Sequence, residues 1–295
     1  MAPPDICFLF NALSNSGLSL RREKSIRHQV KQRWPGAEFI STEPDDDFWE
    51  TLTEQLDGVS IVVACGGDGT VHKAGNLAIR LNATLGMIPI GSGNDFAHML
   101  NIPKSLPAAL DFLTLPNRRT VDVLKIEGDV ECFCLNTAGI GLDGMANHFT
   151  NRYKQTIGKA GYLAGSLKAI LINQDARFQI TVDGVTFTDR YLMVTSCNGQ
   201  REGGSFWVAP NANPADGLID LLMIRPMSTP ALLLALSLFL ISGSERFIKR
   251  ERYRCKKIDL QCEEPLFIHV DGEYSDKKIQ TVTIEIVESA LQVIA

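Results

Sequence analysis

The chain of 295 residues lacks the features that mark secreted, membrane-spanning and nucleic-acid-binding proteins. Its seven cysteines are scattered without a pairing framework, which favours a reduced, cytosolic compartment over a secreted one. The N-terminal Met-Ala-Pro-Pro-Asp sequence does not have the charged-then-apolar layout of a signal peptide. The formal net charge is −5, whereas nucleic-acid binding usually requires a basic excess. We therefore expect no nucleic-acid partner.

Long apolar runs are also scarce. The longest, at residues 231–241, is about half the length that a membrane-spanning helix requires. We expect a core helix there, and a slot for an acyl chain is the alternative. The basic segment at 246–257 follows this run. It fits either a solvated strand edge or a surface attracted to anionic lipid headgroups.

The composition is otherwise that of an ordinary globular protein, with 45% hydrophobic and 21% charged residues. Residues 1–122 alternate strand and helix signals, which predicts a parallel sheet with helices on both faces. Residues 123–295 contain many short strands joined by Gly, Asp and Asn turns, which predicts a β-rich, antiparallel, sandwich-like domain. The last residues could pack back on the first domain.

The predicted elements follow from apolar periodicity and turn residues. The first domain has strands at 6–10, 39–42, 60–65 and 84–90, and helices at 20–34, 48–56, 71–81, 96–100 and 106–113. The second has strands at 121–126, 131–137, 177–182, 191–197, 218–224, 257–262, 266–270 and 281–287, and helices at 146–173 in pieces and at 229–241.

A glycine-rich loop follows the predicted strand at 60–65. Its sequence is Gly66-Gly67-Asp68-Gly69-Thr70, and the next residues begin a helix. Backbone without bulky side chains can approach phosphate oxygens closely, and a helix N-terminus favours negative charge. Asp68 adds a carboxylate that can hold Mg²⁺ or a water of its shell. The loop predicts a nucleotide phosphate site, and a purely structural tight turn is the alternative.

A second loop of the same kind, Gly91-Ser92-Gly93-Asn94-Asp95, follows the predicted strand at 84–90. Ligands of parallel sheets lie beyond the carboxyl ends of the strands, so the two loops are expected at one edge. There they would surround one polyphosphate, with Asp68 and Asp95 available for metal and water. A helix cap by Asn94 and Asp95 is the simpler interpretation.

Together the two loops resemble the catalytic domain of the diacylglycerol kinase and sphingosine kinase superfamily, as found in single-chain bacterial lipid kinases. The resemblance extends through motifs at 136–143, 198–204, 209–218 and 271–273. It implies a nucleotide-binding domain at 1–122 and a lipid-substrate domain at 123–295. It also implies ATP and Mg²⁺ as cofactors, and phosphotransfer to an alcohol group of diacylglycerol or a related membrane lipid.

The resemblance also implies roles for individual residues. Glu273 matches the proton acceptor and is grouped with Asp271 and Asp68 as catalytic. Asp271 and Glu273 would share one face if the backbone there is extended, and an exposed acidic hairpin tip is the alternative. Asp68 and Asp95 would serve the catalytic metal, and Asp216, the Leu218 carbonyl and Asn213 a second, structural metal. The residues that would line the ATP site are Asn11, Thr42, Gly66, Gly67, Asp68, Gly69, Thr70, Val71, His72, Ser92, Asn94 and Asp95.

Three positions depart from the family pattern. The first loop, residues 11–17, is longer than usual and lacks proline; Lys73 replaces a common glutamate; and Ser92 replaces threonine. Two alternatives therefore stay open: a soluble-substrate kinase of the NAD kinase or phosphofructokinase kind, and a catalytically silent nucleotide- or lipid-binding protein. The expected location is cytoplasmic, with peripheral contact at the inner membrane face. The sequence leaves open whether the chain forms a homo-oligomer.

Overall fold

The computed structural model describes residues 5–14, 18–157, 160–204, 206–242, 248–274 and 276–295, without the side chains of 154–157, 162 and 238–242. It separates into two compact units, one formed by Met1–Val123 with Glu288–Ala295 and the other by Leu124–Val287. The first unit is α/β, and the second is built mainly from antiparallel strands. The predicted fold class is confirmed.

The described residues form eight α-helices, sixteen strands and one 3-10 turn at Leu18–Arg22. The helices are α1 Glu23–Arg33, α2 Asp46–Gln55, α3 Asp68–Leu81, α4 Asp95–Met99, α5 Leu106–Phe112, α6 Leu142–Ile157, α7 Ala160–Ile172 and α8 Thr229–Ser242. The strands are β1 Ile6–Phe10, β2 Glu38–Ser41, β3 Ile61–Gly66, β4 Thr84–Pro89, β5 Arg118–Gly128, β6 Cys132–Cys134, β7 Thr137–Gly141, β8 Ala176–Val182, β9 Val185–Tyr191, β10 Met193–Cys197, β11 Arg201–Glu202, β12 Phe206–Trp207, β13 Ile219–Ile224, β14 Arg250–Cys255, β15 Lys257–Val270 and β16 Lys278–Ile294.

The sheet of the first unit is parallel, in the order β2-β1-β3-β4. Every residue of β1 and of β4 is buried, as expected for strands covered on both faces. Phe10 lies opposite Cys65, and Gly66 lies opposite Pro89, so β1, β3 and β4 end at the same level. The loops that follow these three strands therefore begin at one edge of the sheet.

The second unit contains the antiparallel order β14-β13-β10-β7-β15. The long strand β15 also pairs with β8 through residues 258–262, with β16 through residues 257–261 and 266–267, and with β7 through residues 268–270. Its register shifts between Gln261 and Leu266, where Pro265 cannot donate a ladder hydrogen bond. One strand thus contributes to two layers, as a sandwich requires.

Some predicted elements differ from those observed. The strands predicted at 257–262 and 266–270 are one strand, β15, with the irregularity at Pro265 between them. The strand predicted at 131–137 divides into β6 and β7. Strand β9 was not predicted; it returns from β8 through Asp183 and Gly184, whose φ angles of 45° and 86° make a two-residue hairpin turn.

Helix α8 contains the apolar segment at 231–241, and strand β14 contains the middle of the basic segment at 246–257. Leu232 of α8 is buried in a cluster with Ile170 and Leu222, whereas Leu234 is exposed. Strand β14 pairs only with β13 in the strand order and is mostly exposed, which is the solvated-edge arrangement. Residues 243–247 of these segments lie outside the described residues. Within the part of the chain that the structure describes, no helix is both long and apolar enough to cross a membrane.

Candidate nucleotide and catalytic sites

The first glycine-rich loop is the junction of β3 and α3. The strand ends at Gly66, and the helix begins at Asp68, which is earlier than predicted. A Cβ on Gly66 would overlap the side chain of Thr70, so only glycine fits there. Gly67 occupies the N-cap position without a side chain to cap the helix. The first N–H groups of α3 are therefore oriented for an anionic ligand.

The second loop packs directly against the first. The Asp68 carboxylate accepts hydrogen bonds from the backbone N–H of Asn94, at 2.8 Å, and of Asp95, at 2.6 Å. The N–H of Gly91 donates to the Gly66 carbonyl at 3.1 Å, and a Cβ on Gly91 would overlap the Cα of Gly67. The two loops therefore form one backbone unit, and Asp68 helps to hold it together.

Asn94 shapes the second loop from within. Its φ of 56° is left-handed, its Oδ1 accepts from Gly91 N at 3.0 Å, and its Nδ2 donates to Gly91 O at 2.9 Å. The Asn94 side chain makes no capping bond to α4, although it occupies the N-cap position. Asn94 is thus the N-cap residue of α4 by position, but its side chain serves the loop and not the helix.

Asp68 and Asp95 converge on Gly93. A Cβ built on Gly93 would lie 2.5 Å from Asp68 Oδ2 and 3.4 Å from Asp95 Oδ2. Carboxylate oxygens around a space that glycine leaves open fit a hard cation such as Mg²⁺. Each Asp68 oxygen also accepts a backbone N–H, which fixes the orientation of the carboxylate toward this space.

Asn11 and Thr42 lie at the same sheet edge. Asn11 donates through Nδ2 to Thr70 Oγ1 at 3.0 Å, and its Oδ1 accepts from Leu13 N at 2.9 Å. Thr42 N donates to the Phe10 carbonyl at 2.8 Å. The structure thus ties Asn11 to the first glycine loop and Thr42 to the end of β1. Part of the loop after Asn11, residues 15–17, lies outside the described residues.

Three further predicted nucleotide residues and Lys73 lie on α3 and the second loop. Val71 and His72 are buried in the first turns of α3, and Ser92 is half-buried. The Lys73 ammonium donates to the Pro44 carbonyl at 2.9 Å and to Asp46 at 3.1 Å. The positive charge that departs from the family pattern is thus paired at the start of α2.

In the second unit, the Asp271-Gly272 pair forms a tight turn after β15. Val270 and Glu273 exchange two backbone hydrogen bonds, at 3.0 and 2.8 Å. The φ angles of Asp271 and Gly272 are 52° and 85°, which is the pattern of a two-residue hairpin turn. The backbone is not extended, so the condition under which Asp271 and Glu273 would share a strand face is not met, and the segment is a hairpin turn as in the alternative interpretation.

The Asp271 carboxylate is occupied by backbone donors. It accepts from Leu135 N at 2.9 Å, Asn136 N at 2.8 Å and Thr137 N at 3.1 Å. The Cys134 thiol lies 3.3 Å from the same carboxylate, and burial, reinforced by Asp271, raises the pKa of Cys134 well above its usual value. Asp271 therefore fixes the β6–β7 connection next to the turn that carries Glu273.

A buried ion-pair cluster lies behind this turn. His269 is fully buried, and its Nε2 lies 2.8 Å from Glu202 Oε1 and 3.3 Å from Asp143 Oδ2. Thr195 Oγ1 donates to Asp143 Oδ2 at 2.7 Å. His269 also lies beside the turn, with Nδ1 3.4 Å from Gly272 N.

His269 and its carboxylate neighbours shift one another's pKa values toward the charged forms. Burial alone would lower the pKa of His269, but the Glu202 and Asp143 carboxylates raise it well above its usual value. Burial alone would raise the pKa of Asp143, but His269 and Thr195 hold it below its usual value. The three ligand atoms lie within 4.8 Å of one another, a spacing that could hold a metal. Because the Glu202 and Asp143 carboxylates favour the protonated form of His269, we interpret the cluster as an ion pair.

Sequence reasoning missed the cluster. Asp143 was noticed only as the end of a motif, and neither His269 nor Glu202 carried a signal of its own. Their separations along the chain follow no metal-ligand or catalytic spacing, because helix α6 and strands β11 and β15 bring them together. The single available signal was a histidine immediately before the Val270-Asp271-Gly272 motif.

The predicted second metal site contains an arginine. Asp216 Oδ1 accepts from Leu218 N at 3.1 Å, and Asp216 Oδ2 forms an ion pair with Arg254 Nη2. Asn213 is exposed in the loop before them. A guanidinium takes up the carboxylate oxygen that a divalent cation would need. The residues present at Asn213, Asp216 and Leu218 therefore do not fit a divalent cation.

Comparison with known proteins covers nearly the whole chain. Residues 5–126 match the diacylglycerol kinase catalytic domain, and residues 136–295 match the YegS C-terminal NAD kinase beta sandwich-like domain. A diacylglycerol kinase of Mycobacterium tuberculosis is 25% identical over 291 residues, covering 97% of this chain and 93% of the relative.

Solved structures agree on the fold. A diacylglycerol kinase structure from Bacillus anthracis superposes with a TM-score of 0.71 at 21% identity, covering 99% of this chain and 96% of the other. An NAD kinase from Archaeoglobus fulgidus in complex with ATP gives a TM-score of 0.51 at 14% identity, covering 98% and 93%. At these identities the likeness concerns the fold alone.

Proposed function

Because the chain belongs to the diacylglycerol kinase superfamily, in its bacterial lipid kinase form, we propose that it is an ATP-dependent lipid kinase. It would transfer the γ-phosphate of ATP to a hydroxyl group of diacylglycerol or a related membrane lipid, in lipid metabolism or phospholipid biosynthesis. The main support for this proposal is that hydrogen bonds from Asn94 N and Asp95 N to Asp68 join the two glycine-rich loops. The carboxylates of Asp68 and Asp95 both lie near Gly93.

The phosphates of ATP would bind at the N-terminus of α3. The N–H groups that follow Gly67 supply donors, and the helix dipole favours negative charge. Asn11 and Thr42, both tied to this edge of the sheet, would line the nucleotide with His72 and Ser92. The phosphates of ATP would be bound mostly by backbone N–H groups, since glycine residues occupy the positions closest to them.

Asp68 and Asp95 would hold the catalytic Mg²⁺. When bound, the ion would neutralise charge that develops on the transferred phosphoryl group. Asp68 would have two tasks, because its carboxylate also fixes the N–H groups of Asn94 and Asp95. This arrangement couples the position of the metal ligands to the position of the phosphate-binding loop.

Glu273 would accept the proton of the lipid hydroxyl. It stands at the end of the Asp271-Gly272 turn, half-buried, on a backbone held from two sides. Asp271 is better described as a positioning residue than as a catalytic one, since its carboxylate accepts three backbone N–H groups. It would keep Glu273 in place by tying the turn to residues 135–137.

A peripheral contact with the cytoplasmic face of a membrane would deliver the lipid. Large apolar side chains are exposed on α7 and α8, two helices that contact each other. Leu163 is 46% exposed, Leu171 63% and Leu234 52%. Exposed apolar side chains on two neighbouring helices would favour contact with a membrane surface.

Two alternatives remain distinguishable by experiment. A soluble-substrate kinase of the NAD kinase or phosphofructokinase kind is favoured only by the shared fold. A catalytically silent nucleotide- or lipid-binding protein was suggested by Lys73 and the altered first loop. The pairing of Lys73 with Pro44 and Asp46 weakens the part of that argument that rests on its charge.

The test is a phosphorylation assay with ATP, Mg²⁺ and a panel of membrane lipids in mixed micelles. We expect labelled product from a diacylglycerol-type lipid, and none from the variant Asp95→Asn. NAD and fructose 6-phosphate are assayed in parallel. Phosphorylation of either, with no labelled lipid, would favour the soluble-substrate alternative. ATP binding without turnover on any acceptor would favour the silent protein. Mass spectrometry of lipid that copurifies with the protein would identify the acceptor.

A further inference from the structure

Arg254 lies between two carboxylates at the edge of the second unit. It is on β14, directly opposite Asp220 of β13 in the strand register. Its Nη2 forms the ion pair with Asp216 Oδ2, and its Nε lies 3.9 Å from Asp220 Oδ2. The guanidinium thus joins the loop before β13 to the strand that pairs with β13.

Asp216 is held in position for this contact by local geometry. Its Oδ1 accepts from Leu218 N two residues on, which is an Asx turn, and Gly217 between them has a φ of 69°. Oδ1 is therefore used by the turn, and Oδ2 faces Arg254. The Asp216 side chain is only 24% exposed, compared with 51% for that of Arg254.

The buried carboxylate of Asp220 favours a positive charge between β13 and the Asp216 loop. Its Oδ2 is buried, and its side chain is 16% exposed. Burial raises the pKa of Asp220 and the nearby Asp216 adds to this, while Arg254 and Arg252 act in the opposite direction. Two carboxylates this close repel each other unless a positive charge lies between them.

We propose that the Arg254 guanidinium replaces the structural divalent cation that the family resemblance places at Asn213, Asp216 and Leu218. This protein then holds the loop before β13 with an internal organic cation and needs no metal there. The inference is independent of which acceptor is phosphorylated.

A guanidinium is suited to this exchange. It is charged at every pH at which the protein is folded, and its donors form a planar fork that matches carboxylates. A divalent cation needs about six oxygen ligands, and it would compete with Arg254 for the same Asp216 oxygen under charge repulsion. The two cations are therefore mutually exclusive at Asp216.

Because Arg254 and a divalent cation exclude each other at Asp216, thermal unfolding tests the proposal directly. The Tm is measured without nucleotide, once in EDTA and once in millimolar Mg²⁺ or Ca²⁺. The proteins compared are the wild type, Arg254→Gln and the control Arg252→Gln. Arg252 is two residues away on the same strand, and its Nη2 donates to the Val208 carbonyl at 3.0 Å. The control removes the same charge from the same strand without opening the Asp216 oxygen.

We expect divalent cation to raise the Tm of the wild type no more than that of Arg252→Gln, since both share any other cation site. We expect Arg254→Gln to melt about 2–4 °C lower in EDTA and to recover most of that loss in Mg²⁺ or Ca²⁺. Arg252→Gln should show no such recovery. If divalent cation stabilises the wild type as much as Arg254→Gln, or if Arg254→Gln is not rescued, the exchange is disproved.

Metal counting gives a second readout that does not depend on melting. Equilibrium dialysis against Mn²⁺ should show one more bound ion in Arg254→Gln than in the wild type. Ions at the nucleotide site contribute equally to both proteins and cancel. The double variant Asp216→Asn/Arg254→Gln should lose the additional ion, and equal stoichiometry in all three would overturn the proposal. Should Arg254→Gln fail to fold, Arg254→Ala and Arg254→Lys serve in its place, and only the alanine variant should gain the ion.

Discussion

The two units use an aspartate in a glycine motif for the same purpose but over different distances along the chain. Asp68 holds two N–H groups of a loop only 26 and 27 residues away, through parallel strands that end side by side. Asp271 holds three N–H groups that lie 134 to 136 residues away. In both units the motif aspartate organises backbone. A carboxylate in a kinase motif is therefore not evidence, by itself, of direct contact with the reacting atoms.

The comparison is tested most strongly at Glu273, which unlike Asp271 is proposed to act on the substrate. We expect Glu273→Gln to reduce kcat by about 10²–10⁴-fold, because general base catalysis typically contributes that much. ATP binding and Tm should be nearly unchanged. Lipid phosphorylation, calorimetric ATP titration and thermal unfolding measure the three quantities. Glu263→Gln is the control, since the side chain of this exposed glutamate of β15 forms an ion pair with exposed Arg177. A normal rate for Glu273→Gln would remove Glu273 from the role.

The contact between the two loops of the first unit is tested by Gly91→Ala. The added methyl group would overlap Gly67 Cα, and overpacking of this kind costs roughly 1–3 kcal/mol. We expect ATP affinity to fall by about 10- to 100-fold as the loops separate. Gly36→Ala is a matched control, because nothing lies within 4 Å of a Cβ built there. Equal affinities of the two variants would show that the loops can separate at no cost to binding.

The positioning role of Asp271 is tested by Asp271→Asn. The amide keeps the shape of the side chain but has one oxygen for three N–H donors, and unsatisfied buried groups cost about 1–3 kcal/mol. We expect the free energy of unfolding to fall by that amount in chemical denaturation. A role in chemistry alone predicts a lower kcat with unchanged stability, so an unchanged unfolding curve contradicts the assignment.

The smallest expected effect is a pH dependence that arises at His269 in the second unit. The folded pKa of His269 is raised by Glu202 and Asp143, so its stabilising contribution is complete below about 6.5. It is lost as the pH rises through the folded pKa, with a slope of at most about 1.4 kcal/mol per pH unit. Chemical denaturation between pH 6 and 10 measures this slope. His269→Gln should flatten it, and an equal slope in the variant would place the titration elsewhere.

Local signals in the sequence were sufficient for the first unit. The apolar runs before Gly66 and Gly91 predicted buried strands, and parallel strands necessarily bring their carboxyl ends to one edge. The start of α3 was placed too late because Asp68 and Gly69 have low helix propensity, and the motif was interpreted as a loop. The backbone partners of Asp68 could not be predicted, since sequence patterns identify side chains and not individual N–H groups.

The second unit was less predictable because its contacts are non-local. Strand β9 was missed although the Asp183-Gly184 pair is a strong hairpin signal, since its exposed residues do not show an apolar pattern. The cluster at His269 depends on residues from three distant segments. The position of Arg254 depends on the pairing of β13 with β14, and register between strands is set by the whole sheet.

The return of residues 288–295 to the first unit has a consequence for biosynthesis. Val293 pairs with Leu85 of β4, and Thr84 Oγ1 lies 2.5 Å from Gln292 Oε1 across a separation of 208 residues. A ribosome releases these residues only after the entire second unit. Until then β4 pairs only with β3 among these strands, and its other edge stays open to other chains. The first unit must therefore finish folding late in synthesis. A chaperone would protect the chain between the synthesis of β4 and that of residues 288–295.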